Sequence, residues 1–358
     1  MSGILHKSGD SVADRYEIEE FIGEGGMQEV YRANDMLLGK KVALKIPKNG
    51  SASKRFHRSA VVSARVNHAH VAKTLDYIEG TDRSYLIEEL IEGCDFRVLM
   101  TQHIPKFDPF TVSRILHHLA KGIAASHHAG VIHRDLKPSN IMAVGGARLR
   151  GLKVTDFGIA KMAEKELEEA IEGGEESITA SATAIGALPY MAPETIESMK
   201  SANHPADVWS LAAMGFEFLT GTRPFGAGLK AIPQILVGKT VPVPNNLRVN
   251  SQFNAAFDEV MEIIGKCLAV DPKSRMTADQ IVSACEKLFY SLEEREFGKI
   301  TTFDNGYWGF AQSEEGSSIF FHKKSIYGGD SVKVGDTLWY ARHKGGQSDR
   351  AFPVIKAR

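Results

Sequence analysis

The stretch His133-Arg134-Asp135-Leu136-Lys137-Pro138-Ser139-Asn140 constrains this chain more than any other. It sets a carboxylate, an ammonium and a carboxamide on one short loop, with Asn140 five positions after Asp135. Such a loop can aim three groups at one substrate. Asp135 can take a hydroxyl proton, Lys137 can neutralise a transferring phosphoryl group, and Asn140 can offer its amide oxygen to a divalent metal. Upstream, Phe110 to Gly130 carries Ile115, Leu116, Leu119, Ile123 and Ala124 at helical spacing, so an amphipathic helix should lead into the loop. That helix also carries His117, His118, His127 and His128; adjacent residues face different directions on a helix, which argues against a metal site there. Downstream, Leu152 to Val154 reads as a strand that delivers a second acid, Asp156, sixteen residues after Asn140.

The loop matches the pattern H-R-D-L-x-x-x-N, and Thr155-Asp156-Phe157-Gly158 followed by Ala192-Pro193-Glu194 completes it in order. On these residues the chain resembles a bacterial, eukaryotic-type Ser/Thr protein kinase, with Lys137 standing where Ser/Thr members carry lysine. The resemblance runs from about Tyr16 to Tyr290. It implies ATP as phosphate donor, Mg2+ (or Mn2+) held by Asn140 and Asp156, and a protein Ser or Thr hydroxyl as acceptor. Gly23-Glu24-Gly25-Gly26-Met27-Gln28-Glu29-Val30 is similar to the glycine turn over the phosphates, with Gln28 where a third glycine is usual. Val42-Ala43-Leu44-Lys45 resembles the strand whose lysine holds the α- and β-phosphates. The implied nucleotide-binding set is Gly23, Gly25, Gly26, Val30, Ala43, Lys45, Glu89, Ile91, Asp95, Asn140 and Asp156, and the implied catalytic groups are Asp135, Lys137 and Lys45. Asp207, in Asp207-Val208-Trp209, should anchor the catalytic-loop backbone, and Arg275 should pair with Glu194.

Three positions depart from that pattern. The helix expected over 52–66 should supply an acid for Lys45, yet Ser59 stands in its place and no Asp or Glu occurs from Gly50 to Leu75. Glu88 occupies the usually apolar position before the hinge acid. Either it replaces the missing acid as the partner of Lys45, or it pairs with an arginine of that helix. Ala187 replaces the threonine that normally bonds the catalytic Asp and Lys. In the activation segment an acidic run, Glu164 to Glu176, precedes Thr179 and Ser181, the candidate autophosphorylation sites. The alternative to an active kinase is a nucleotide-binding scaffold, a pseudokinase.

At 358 residues the chain should hold more than one unit. A net charge of -1 gives no global pull toward nucleic acid or membrane. Three isolated cysteines, Cys94, Cys267 and Cys285, suit a reducing cytoplasm, and no run of about 18 apolar residues suggests a membrane span. The expected layout is a lead over 1–14, the kinase unit over 15–290 with lobes 15–91 and 92–290, a linker over 291–297 and a small unit over 298–358. In that last unit Gly298 to Thr302, Trp308 to Gln312, Ile319 to His322, Asp336 to Ala341 and Ala351 to Ile355 read as five short strands. Tyr307-Trp308-Gly309-Phe310 and Ile319-Phe320-Phe321-His322 resemble the two RNA-binding motifs of cold-shock domains. The implied fold is an OB-type barrel whose Trp308, Phe310, Phe320 and His322, with Phe303 nearby, form a stacking platform. Nine Lys and Arg against six acids make this unit mildly basic. It either binds single-stranded RNA or DNA or docks on the kinase or another protein. The fold class expected overall is α+β: a bilobal kinase fold followed by an all-β barrel.

Overall fold

The computed structural model describes residues 5–24, 28–48, 53–80, 83–157, 186–198 and 201–358. The N-terminal lobe is an antiparallel sheet of β1 (Ser11–Val12), β2 (Tyr16–Glu24), β3 (Gln28–Asp35), β4 (Lys40–Pro47), β5 (Thr74–Glu79) and β6 (Ser84–Glu89), in the order β1-β2-β3-β4-β6-β5. Alternating apolar side chains of these strands, among them Tyr31, Val42, Leu44 and Ile87, close one buried cluster. Helix α1 (Ser53–Ser63) buries Phe56 and Ala60 against Leu86 of β6.

The C-terminal lobe begins with β7 (Gly93–Asp95) and α2 (Phe96–Gln102), then α3 (Pro109–His128). Asp108 caps α3 by accepting from the Thr111 N–H at 3.0 Å, and Pro109 fills the first turn, where no N–H is needed. Strands β8 (Ile141–Val144) and β9 (Gly151–Val154) pair with β7 into a small sheet beneath the cleft. The close pairing requires glycine at position 93, because a Cβ there would lie 2.0 Å from the Ala143 carbonyl oxygen. Helices α4 (Pro193–Glu197), α5 (His204–Thr220), α6 (Ile232–Leu236), α7 (Asn254–Cys267) and α8 (Ala278–Cys285) complete the lobe. Helix α5 is apolar almost all round and buried from Ala206 to Thr220, as a helix at the centre of a lobe must be.

The last five strands are β10 (Arg295–Asp304), β11 (Trp308–Ser313), β12 (Ser318–His322), β13 (Thr337–His343) and β14 (Asp349–Lys356). They close into a barrel in the order β10-β11-β12-β14-β13, with β12 and β14 parallel and the other pairs antiparallel. The linker expected over 291–297 is shorter than that, because β10 starts at Arg295 and already pairs there with Ala341.

The barrel shares a core with the C-terminal lobe. Trp339, Ile355 and Tyr327 belong to the same buried cluster as Phe107, Leu219 and Phe253. Trp339 packs edge-on to Phe107, and its Nε1 donates to the Ala147 carbonyl at 2.7 Å. The Tyr327 hydroxyl donates to the Leu219 carbonyl at 3.0 Å, and Phe352 stacks on Phe253. Arg295, 3% exposed, donates to Thr111 Oγ1 at 2.6 Å, lies 3.5 Å from the buried Asp108 and sits over the Trp339 ring. The barrel is therefore docked on the C-terminal lobe, one of the alternatives stated for this unit. Among the described residues no helix is long and apolar enough to cross a membrane.

Candidate active site

A cleft of about 700 Å3 opens between the two lobes. Its roof is β2, β3 and β4 with Gly23, Val30, Ala43 and Lys45; its back and rim carry Glu88, Glu89, Ile91 and Asp95; its floor carries Asp135, Lys137, Asn140 and Asp156. Twelve residues picked out by sequence pattern thus converge on one space from segments more than a hundred residues apart. Gly25, Gly26, Thr179 and Ser181 lie outside the described residues.

Lys45 points inward from β4 and is 5% exposed. Its Nζ lies 2.6 Å from Glu88 Oε2 and 2.8 Å from Asp156 Oδ1. Glu88 meets Lys45 because β4 and β6 are neighbours with Ala43 opposite Glu88, which brings the two side chains together within one sheet; the side chains of Arg55 and Arg58, the other candidate partners, lie outside the described residues. Burial opposes the ammonium, but the charges of Asp156 and Glu88 outweigh it and raise Lys45 above the ordinary lysine value. Burial pushes the Glu88 carboxyl upward, against the pull of Lys45. Burial opposes the Asp156 carboxylate too, yet Lys45 and a hydrogen bond from Gln28 hold it below the usual aspartate range.

The catalytic loop is built from its backbone outward. Asp207, 1% exposed on α5, accepts from the His133 N–H at 2.9 Å and the Arg134 N–H at 2.8 Å, and His127 Nε2 stands 3.0 Å from the same carboxylate. Arg134 takes a left-handed φ of 70°, a turn that the two N–H bonds to Asp207 hold in place. His133 reaches the Thr155 carbonyl through Nε2 at 2.8 Å and so joins the loop to the segment bearing Asp156. Asn140 donates from Nδ2 to the Asp135 carbonyl at 2.7 Å and to Asp135 Oδ2 at 3.2 Å. Its nitrogen is thereby committed to Asp135, which leaves its oxygen for other work. Lys137 bonds Asp135 Oδ2 directly at 2.7 Å. With Ala187 in place of threonine, no hydroxyl from that position is interposed between Asp135 and Lys137.

One supporting expectation is met. Arg275 grips Glu194 through two 2.7 Å bonds, with its guanidinium over Trp209. Phe157 is buried and packs on His133, and its carbonyl accepts from Ser63 at the end of α1 at 2.9 Å. Asp95 lines the rim, but its carboxylate also caps α2 by accepting from Val98 N–H at 2.8 Å. The sequence pattern missed Met142 on β8, Thr155 and Cys94 as lining residues. Met142 lies on β8, which begins directly after Asn140, and that closeness to the loop was the signal available. It also registered Gln28 only as a substitution, whereas Gln28 Nε2 donates to Asp156 Oδ1 at 2.9 Å.

On the barrel, Trp308 lies opposite His322 and Phe310 opposite Phe320 in the β11–β12 register. Trp308 stacks on Phe320 at 6.2 Å, Phe310 meets Phe320 edge-on at 5.8 Å, and Arg350 reaches over Phe320. These rings form one outward face, with Trp308 39% exposed, while Ala311, Ile319 and Phe321 fill the interior. Gly309 separates the two β11 rings because a Cβ there would lie 2.1 Å from the Thr302 carbonyl oxygen. Phe303 does not join the face: it packs toward the barrel core and stacks on Phe321 at 5.6 Å.

The protein kinase domain family matches residues 16–285. Among curated proteins the chain is 34% identical over 223 residues to the "Probable serine/threonine-protein kinase PknB" of Corynebacterium glutamicum, covering 60% of this chain and 32% of that protein. It is 30% identical over 297 residues to the serine/threonine-protein kinase PrkC of Bacillus subtilis, with 81% and 43% covered. Against the serine/threonine-protein kinase PknB of Mycobacterium tuberculosis the figures are 31% over 273 residues, 74% and 41%. The chain thus spans between about a third and under half of the length of these relatives.

Proposed function

Since the chain belongs to the protein kinase domain family, we propose that it is a Ser/Thr protein kinase, transferring the γ-phosphate of ATP to protein hydroxyls. The observation that carries this reading is the meeting of Lys45, Asp135, Lys137, Asn140 and Asp156 in one cleft. The donor set fits a divalent cation: Asp156 brings a carboxylate, and Asn140 brings a carboxamide oxygen whose nitrogen is already engaged. Two protein ligands suit Mg2+ (or Mn2+), which keeps waters and phosphate oxygens in its remaining positions. Such an ion supplies charge neutralisation for the phosphates. Lys45 holds the nucleotide phosphates, Asp135 accepts the proton of the attacking hydroxyl, and Lys137 balances charge on the phosphoryl group in transit. Catalysis is mainly positioning, and the Asp207 bonds to the loop backbone supply it.

The activation-segment hydroxyls Thr179 and Ser181 are the proposed autophosphorylation sites. Purified protein with labelled ATP and Mg2+, beside Asp135→Asn, tests both statements. Incorporation in wild type that is lost in the variant, mapped to Thr179 or Ser181 by mass spectrometry, is the expected result. Equal incorporation in both would favour the pseudokinase scaffold. The free thiols of Cys94, Cys267 and Cys285 support placing this unit in the cytoplasm.

A second reading concerns the barrel. Its strand order and parallel β12–β14 pair support an OB-type, cold-shock-like fold, and the outward aromatic face supports binding of single-stranded RNA or DNA. Each base stacked on such a ring contributes roughly 1–3 kcal/mol. Docking uses Arg295 of β10, β13, β14 and the turn that bears Tyr327, and Trp308 on the β11–β12 face stays 39% exposed. Single-stranded oligonucleotide should quench tryptophan fluorescence in wild type, with an affinity about tenfold weaker in Phe320→Ala. Unchanged fluorescence and unchanged mobility would refute this reading.

A further inference from the structure

We propose that Gln28 is a positioning residue that competes with a metal–nucleotide complex for the metal-binding oxygen of Asp156 and must yield it when the complex binds. The inference rests on reading the cleft as a metal–nucleotide site. Gln28 is the first residue of β3 and stands where this family's turn usually has its third glycine. Its side chain is 8% exposed and lines the cleft. A carboxylate can only accept, so the end of the carboxamide 2.9 Å from Asp156 Oδ1 is the N–H donor. The same oxygen receives Lys45 Nζ at 2.8 Å. Lys45 has a second carboxylate, Glu88, to hold it.

A cation approaching Asp156 Oδ1 meets the positive end of an amide dipole aimed at the same atom, so the two compete for it. The contact is also incomplete. Among the described residues Gln28 Oε1 is buried without a hydrogen-bond partner, which makes this arrangement less stable than a fully satisfied one. A glycine at this position offers neither the donor nor the bulk. Gln28 therefore sets a threshold for metal-loaded nucleotide and leaves metal-free nucleotide, which makes no demand on Asp156, largely untouched.

The test is calorimetric titration of the full chain with ATP in EDTA and with ATP in Mg2+, for wild type, Gln28→Gly and Gln28→Met. A hydrogen bond to a charged group is worth roughly ten- to a hundredfold in an equilibrium constant, and the unpartnered oxygen takes back part of it. Both variants should bind ATP with Mg2+ about three- to tenfold more tightly than wild type, while affinity in EDTA stays within about twofold. Methionine keeps the bulk and lacks the donor, so tightening in Gln28→Gly alone would assign the effect to space and overturn the proposal. Weaker or unchanged Mg2+-dependent binding in both variants would also overturn it. Wild type that binds ATP no better with Mg2+ than with EDTA would overturn the metal-site reading itself, and this inference with it.

Discussion

Replacing Glu88 with glutamine asks whether a strand residue can serve as the anchor of Lys45. The carboxylate is 4% exposed and lies 2.6 Å from the ammonium, so solvent cannot take over its role. Removing one member of a buried ion pair ordinarily costs about 3–5 kcal/mol. Two features reduce that here: Asp156 remains as a second counter-charge at 2.8 Å, and glutamine keeps a carbonyl acceptor. About 1.5–3 kcal/mol is then the expected loss. It falls on the site itself, because Lys45 is left to Asp156 alone and is drawn toward the acid that the metal requires. In rate terms this is roughly ten- to a hundredfold in kcat/KM. Initial rates of phosphate transfer with ATP varied, together with ATP affinity by calorimetry, measure it. Values of both within twofold of wild type would refute the role assigned to Glu88.

Arg295→Met should destabilise the chain by about 3–5 kcal/mol, since it leaves Asp108 buried beside Thr111 without its cation. Adding Asp108→Asn should recover much of that loss, and urea denaturation followed by far-UV circular dichroism reads both. The shared core further predicts that barrel and C-terminal lobe unfold in one transition, with tryptophan fluorescence and far-UV signal coincident. Burial, aided by His70, Arg114, His117 and Lys121 nearby, pushes His118 down to about 3. The unfolded chain takes up this proton near pH 6.5 and the folded one does not, so stability falls as pH drops from about 6.5 toward 3. His118→Leu should flatten that fall by no more than about 1.4 kcal/mol per pH unit, the limit for one proton; an unaltered pH profile would contradict the assignment.

Most of the cleft was legible in the sequence because phosphoryl transfer needs particular groups at particular spacings. Asp135, Lys137 and Asn140 lie on one loop, Asp156 follows an apolar strand and Lys45 lies within one, so local pattern alone marks them. The five barrel strands were legible for a similar reason, since turns rich in Gly, Ser and Asp punctuate them. What sequence left open was pairing across space. Glu88 had two candidate partners until the β4–β6 register placed it beside Lys45. Gln28 registered as a missing glycine, and nothing local announces a donor for an acid 128 residues away. The docking surface was hidden for another reason: Trp339, Ile355 and Phe352 are residues that a barrel core would also use, and alternation does not say which face meets a neighbour. Arg295 sat inside a charged segment that read as linker, whereas it is one of the most deeply buried cations.

The fused core of barrel and lobe removes the hinge that a tandem protein usually has. Trp308 and Phe320 stand at a fixed offset from Asp135, since Arg295 ties β10 to α3, the helix that leads into the catalytic loop, while Tyr327 bonds Leu219 on α5 and Trp339 bonds Ala147. A flexible tether raises the local concentration of whatever it holds over a broad shell of distances. With a ligand on the barrel face, as proposed, this arrangement would work as a ruler instead. A ligand long enough to bridge the separation presents its far end at the cleft, and a shorter one does not, so length would become a recognition criterion alongside chemistry.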